Sequence, residues 1–165
     1  MTTQTIHLSP EYPTKCKVCD AEILIGDPHV TEKAWKKYGD LGWSVIFDIT
    51  LCMGCTRNKQ QNISQESRRR IEAYIAENNP NSTDDAFEQC HITGKPLTDC
   101  HFVQGAMMVH GNQTAIIMMS DEAIEALQNQ LSEETKDELD RFAEEQLGPP
   151  GAWKDLFSPT RPILM

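Results

Sequence analysis

Six cysteines fall at positions 16, 19, 52, 55, 90 and 100. Four of them form two Cys-x-x-Cys pairs, Cys16-Lys17-Val18-Cys19 and Cys52-Met53-Gly54-Cys55. Each pair can build a tight knuckle that aims two thiolates at one point. Two knuckles complete a tetrahedral shell of four sulfurs with bonds of about 2.3 Å, a donor set suited to Zn2+. The spacing therefore points to one Zn2+ per chain, held by Cys16, Cys19, Cys52 and Cys55. Three other readings of the same residues stay open. Disulfides would need an oxidising compartment. A redox pair fits Cys52 and Cys55, which follow a strand and open a helix, but leaves Cys16 and Cys19 unexplained. A rubredoxin-like iron site usually carries glycine after each second cysteine, where Asp20 and Thr56 stand here.

The remaining cysteines lie in Cys90-His91-Ile92-Thr93-Gly94-Lys95-Pro96-Leu97-Thr98-Asp99-Cys100-His101. Laid over the first knuckle, Cys90 matches Cys16, Thr93 matches Cys19 and Leu97 matches Ile23. The segment reads as a second knuckle without its second cysteine. A second metal could draw on Cys90, Cys100 and two of His91, His101 and His110. The plainer reading is a metal-free copy whose turn survives through Gly94 and Pro96, with buried free thiols.

The elements that must carry these residues follow from pattern. Residues 1–13 read as an N-terminal arm ending in Pro10 and Pro13. Ala21–Ile25 and His29–Thr31, joined by Gly26-Asp27-Pro28, read as a short hairpin. Trp43–Leu51 is rich in β-branched and aromatic residues and reads as a strand. From Thr56 the pattern turns helical, with Ile63, Ser67, Ile71, Tyr74 and Ile75 on one face. The segment Asn78–Asp85 is all turn formers and polar residues, so residues 79–86 read as a linker between a unit at 14–78 and an acidic unit at 87–150. In the second unit, His101–Val109 and Thr114–Met119 form a hairpin. Ser120 caps a helix from Asp121, and Ser132 caps another that Gly148-Pro149-Pro150 stops. Residues 151–165 form a tail whose Trp153, Leu156 and Phe157 are expected to dock back on the domain.

The order of knuckle, hairpin, strand, knuckle and helix over residues 14–78 resembles the treble-clef zinc finger. The expected fold is α+β, a small zinc-stabilised treble-clef-like unit followed by a β-hairpin and two helices. That resemblance implies structure more than activity, because such fingers serve ribosomal proteins, adapters and nucleases alike. Asp27-Pro28-His29 and Cys55-Thr56-Arg57-Asn58-Lys59 resemble the HNH-type nucleases, with Asp27, His29 and Asn58 as candidates. Asp27 and His29 are not adjacent, however, and Asn58 is displaced from the nuclease pattern. No nucleophile–base pair of familiar spacing occurs, and no catalytic residue is assigned.

Charge separates the partners to be expected. The chain of 165 residues carries 15 basic and 25 acidic side chains, a net charge of −10. Residues 1–75 hold 10 basic against 9 acidic groups, and residues 76–165 hold 5 against 16. A protein partner is expected, a basic one drawn to the acidic half. Nucleic acid could be met through residues 33–70, where Lys33, Lys36 and Lys37 interleave with Trp35, Tyr38 and Trp43, and Arg57, Lys59 and Arg68–Arg70 add charge. No apolar run is long enough for a bilayer and no signal peptide is visible, so the expected compartment is the cytoplasm. The expected function is that of a zinc-binding adapter or regulatory protein, with nucleic-acid binding as the alternative.

Overall fold

The computed structural model describes residues 7–78 and 88–147. The linker 79–86 and the tail 151–165 lie outside the described residues, as does the first part of the arm. The fold is mixed α and β with antiparallel sheets. Strands β1 (Thr14–Lys15) and β2 (Glu22–Ile23) pair to close a small knuckle. Strands β3 (His29–Lys37) and β4 (Trp43–Cys52) form a long hairpin, followed by α1 (Met53–Gln60) and α2 (Gln65–Asn78). A bridge between Gln89 and Pro96 closes a second knuckle. Then come β5 (Phe102–His110), β6 (Gln113–Ser120), α3 (Asp121–Gln128) and α4 (Glu133–Leu147).

The four long strands make one sheet in the order β4-β3-β5-β6. Alternation along β3 sends Val30, Glu32 and Ala34 to one face and His29, Thr31, Lys33 and Trp35 to the other. All seven are buried, because both faces are covered. The first face carries the helices, with Ala123, Ile124 and Leu127 of α3 fully enclosed. The second carries the N-terminal segment, where Leu8 is 1% exposed. At Gly105 of β5 that segment packs closely against the sheet. A Cβ at this position would meet Met118 Sδ at 2.6 Å and Leu8 Cδ2 at 2.9 Å. We expect Gly105→Ala to cost about 1–3 kcal/mol by overpacking, measured by chemical denaturation. An unchanged midpoint would mean that Leu8 does not pack there.

Several sequence expectations meet the structure directly. Strand Trp43–Leu51 forms and runs one residue further, to Cys52. Ser120 and Ser132 accept the amides of Ala123 and Thr135 at 3.2 Å each, as caps of α3 and α4. The first hairpin is a correction. β2 pairs with β1 rather than with His29–Thr31, and β3 is nine residues long and pairs with β4 and β5. In the turn between β2 and β3, Asp27 Oδ2 accepts the Leu24 amide at 2.9 Å and Gly26 adopts φ 89. That turn redirects the chain into the large sheet instead of reversing it. The helix read from Thr56 onward is also two helices. Ser64 breaks it, its hydroxyl accepting the Ser67 amide at 3.1 Å and so starting α2.

The hydrogen bonds reveal an internal repeat that extends far beyond the knuckle. In the first half the Cys16 amide donates to Ala21 O and the Asp20 amide to Cys16 O, both at 2.9 Å. In the second half the Cys90 amide donates to Lys95 O and the Gly94 amide to Cys90 O, again at 2.9 Å. Asp20 and Gly94, at equivalent positions, both have positive φ, 63 and 74. Lys17 N donates to Thr50 O, and His91 N donates to Met118 O. From Cys52 and Ser120 onward the two halves run without a gap. Ile63-Ser64-Gln65-Glu66-Ser67 stands against Leu131-Ser132-Glu133-Glu134-Thr135. The halves meet about a pseudo-twofold axis between β3 and β5, where Glu32 pairs with its own equivalent, Ala106. The same symmetry appears between the helices. Ser64 N donates to Thr135 Oγ1 at 3.0 Å, and Ser132 N donates to Ser67 Oγ at 2.8 Å.

Candidate metal centre

The knuckle β1–β2 and the start of α1 bring four thiols to one place. Cys16 and Cys19 lie on the knuckle turn, which the two amide bonds above hold tight. Cys52 ends β4 with φ −64 and ψ 160, the extended geometry of an N-cap, and its Sγ accepts the Cys55 amide at 3.5 Å. Cys55 sits one turn into α1. The four Sγ atoms all lie within 4.8 Å of one another. Cys19 Sγ and Cys52 Sγ are 3.7 Å apart, close to the edge of about 3.8 Å that four bonds of ~2.3 Å require in a tetrahedron. All six cysteines of the chain are free thiols.

The electrostatics of the cluster call for a cation. Burial pushes the Cys16 thiol up, but the backbone amides of Cys19, Cys52 and Val18 outweigh it and bring the thiol down to about 7. Burial, and then the three neighbouring thiols, push the Cys55 thiol well above its usual range. One thiolate is favoured and further ones are opposed, because like charges crowd a small volume. A divalent cation at the centre would offset that opposition. These four residues can hold one metal ion.

The second set of candidates does not assemble. Among the described residues the four-cysteine group is the one cluster of three or more His, Cys, Asp or Glu side chains placed to share an ion. Cys90 and Cys100 are buried, whereas His101 and His110 face solvent. Cys100 Sγ points to Pro96 O at 3.6 Å, and burial raises its thiol to about 11. His91 Nδ1 accepts the Met118 amide at 2.9 Å, which fixes a neutral ring. Burial lowers the His91 pKa from 6.5. With its native pKa depressed, the unfolded chain binds the extra proton first. This residue's contribution to stability is therefore complete above about 6.5 and is lost as pH falls through the native pKa. An NMR titration is expected to put His91 below 6.5; a higher value would contradict the half-buried acceptor.

Two of the nuclease candidates, Asp27 and His29, are engaged in hydrogen bonds within the fold. His29 is fully buried. Its Nδ1 donates to the Asp27 carbonyl, which leaves Nε2 to accept the Tyr12 hydroxyl at 2.8 Å. Asp27 serves the turn before β3, and Asn58 is exposed on α1. The interleaved basic and aromatic residues are likewise divided. Trp35 is 2% exposed and Lys33 5% exposed, and Lys33 is tied to Asp48 at 3.6 Å and Ser9 O at 3.2 Å. Neither can join a stacking platform. Lys36 and Lys37 remain near the surface, each 5.8 Å from the ring of Tyr38 or Trp43.

Lys59 marks what the sequence reading missed. It looked like surface charge on a helix, yet its side chain is 3% exposed and lies 3.3 Å from Glu32 Oε2, in a carboxylate-bearing side chain 5% exposed. Its ammonium also stands 5.3 Å from the Phe142 ring. Beside this pair is a largely apolar cavity of about 250 Å3, lined among others by Glu32, Thr56, Ile75, Met108 and Ala115. By the register of the repeat, Ala115 stands where the first half has Phe47, so a lost ring accounts for part of the space. Among the described residues no helix is long and apolar enough to cross a membrane. No known protein family, curated protein or solved structure matches the chain.

Proposed function

We propose that Cys16, Cys19, Cys52 and Cys55 bind one Zn2+ in a treble-clef-type unit, and that the protein is an adapter or regulatory protein working through protein–protein contact. The observation that carries this reading is the gathering of four thiols within 4.8 Å of one another, supplied by one knuckle and one helix start. Zinc held by four protein sulfurs has no open coordination position, which suits a structural ion rather than a catalytic one. Function then lies on the surface that the ion stabilises. The exposed acidic groups Glu122, Glu125, Glu133, Glu134, Glu144 and Glu145 on α3 and α4 favour a basic protein partner.

Metal analysis by mass spectrometry tests the first half of this reading. One zinc per chain supports it, and a chain isolated without zinc and unable to take it up refutes it. Iron would be seen by its visible absorption. Capture of partners before and after nuclease treatment tests the second half. A bound protein that persists after nuclease and is released by raised salt supports the adapter reading, because exposed charge attraction is screened within about 8 Å at physiological ionic strength. Binding that vanishes with nuclease favours nucleic acid.

A further inference from the structure

We infer, on the zinc reading of the first cluster, that the second half of the chain holds a converted copy of that site. Cys90, Thr93, Ser120 and Ala123 occupy the four ligand positions, a hydrogen-bonded cluster stands where the ion would be, and the frame can still accept a zinc tetrathiolate.

Each position has its counterpart. Cys90 stands for Cys16, on a knuckle closed by the same two backbone bonds. Its sulfur accepts the amides of Ile92 at 3.4 Å and Thr93 at 3.3 Å. The first half directs the equivalent amides, Val18 and Cys19, at Cys16. The third amide also corresponds, Cys52 in one half and Ser120 in the other. Thr93 stands for Cys19 and Ser120 for Cys52. Thr93 Oγ1 and Ser120 Oγ are 3.4 Å apart, where the thiols of Cys19 and Cys52 are 3.7 Å apart. Ser120 caps α3 by accepting the Ala123 amide at 3.2 Å, just as Cys52 caps α1 by accepting the Cys55 amide at 3.5 Å. Ala123, fully buried, takes the place of Cys55.

The chemistry of the exchange is simple. In the first half an ion joins the knuckle to the helix start. In the second, Cys90, Thr93 and Ser120 join the same two elements through hydrogen bonds and capped amides. Cys90, Ser120 and Ala123 are nearly inaccessible, while Thr93 is exposed, as Cys19 is in the first half, so the Cys90 thiol is enclosed in the joint rather than presented as a reactive group. Threonine and serine are close to cysteine in volume, and only Ala123 must gain a large atom. Restoring the three missing thiols is therefore compatible with the existing backbone.

The test is the triple variant Thr93→Cys, Ser120→Cys, Ala123→Cys, refolded with Zn2+ and counted by mass spectrometry beside the wild type. Co2+ replaces Zn2+ in a parallel titration, reporting thiolate ligation by its charge-transfer absorption. The expected result is one more equivalent of metal in the triple variant than in the wild type, removed again by Cys90→Ser in that background. A folded triple variant that binds no more metal than the wild type overturns the inference. The double variant Thr93→Cys, Ser120→Cys, which leaves Ala123 alone, supplies three thiolates and should bind the additional ion more weakly. If neither variant folds with Zn2+ present, the frame does not accept the ion and the inference also fails. A wild type without metal would refute the reading of the first cluster, while the difference between variant and wild type still decides this one.

Discussion

Cys52→Ser is expected to remove zinc from the protein and to abolish its cooperative melting. Zinc in structural sites of small domains contributes an apparent binding free energy of about 10–16 kcal/mol at neutral pH, which appears as folding free energy. A domain's net stability is only about 5–15 kcal/mol. Losing the ion thus takes away an amount comparable to everything that holds the fold. The choice of serine isolates this effect, because serine caps helices well. Ser120 already does so at the equivalent position of α3. The variant keeps the cap and loses the thiolate. Metal counting and a thermal melt on the same sample check the result. Stoichiometric zinc together with a native melting profile would remove Cys52 from the ligand set.

The second large effect belongs to the buried pair of Glu32 and Lys59. Lys59→Leu alone strips the ammonium from a carboxylate that is 5% exposed, and breaking a buried pair in this way costs about 3–5 kcal/mol. The double variant Glu32→Ala, Lys59→Leu removes both charges. The repeat contains this replacement already, because Ala106 and Leu127 occupy the equivalent positions of the second half. We therefore expect the double variant to recover most of the loss, ending within about 1–2 kcal/mol of the wild type, since apolar side chains can replace a buried pair at little net cost. Denaturant midpoints for the two single variants and the double complete the cycle. A double variant as unstable as Lys59→Leu would show that the charges do more than pair with each other. Phe142, whose ring lies beside Lys59, is the first place to look for that additional role.

Chain-local features were legible for a common reason. Two Cys-x-x-Cys pairs at any workable separation imply that four thiols can meet, because each pair is rigid enough to act as one unit. Ser120 and Ser132 announced helix starts because a hydroxyl three residues before a buried amide has an obvious partner. The strand from Trp43 carried its own signature in β-branched and aromatic residues. Signals for the repeat were present as well. Ile63-Ser64-x-Glu66-Ser67 recurs as Leu131-Ser132-x-Glu134-Thr135, but the match between Cys90 and Cys16 drew attention to the knuckle alone. Beyond it the ligand residues that would have marked the copy have been exchanged for Ser120 and Ala123.

Long-range pairing decided the rest. The partner of β2 could not be read from Gly26-Asp27-Pro28, because whether a turn reverses the chain or redirects it depends on which strands are available to pair. Lys33, Trp35 and Lys59 looked like surface residues in a basic stretch. They became interior ones only when β5 closed on β3, and the N-terminal segment and the helices covered the two faces of the sheet. Spacing along the chain determined the four thiols and the caps, since those interactions span a few residues and a rigid turn. Burial of charge, the pairing of Glu32 with Lys59 and the conversion of the second cluster arise from segments far apart in sequence. They follow from the tertiary structure because only the assembled sheet sets which faces are withdrawn from water.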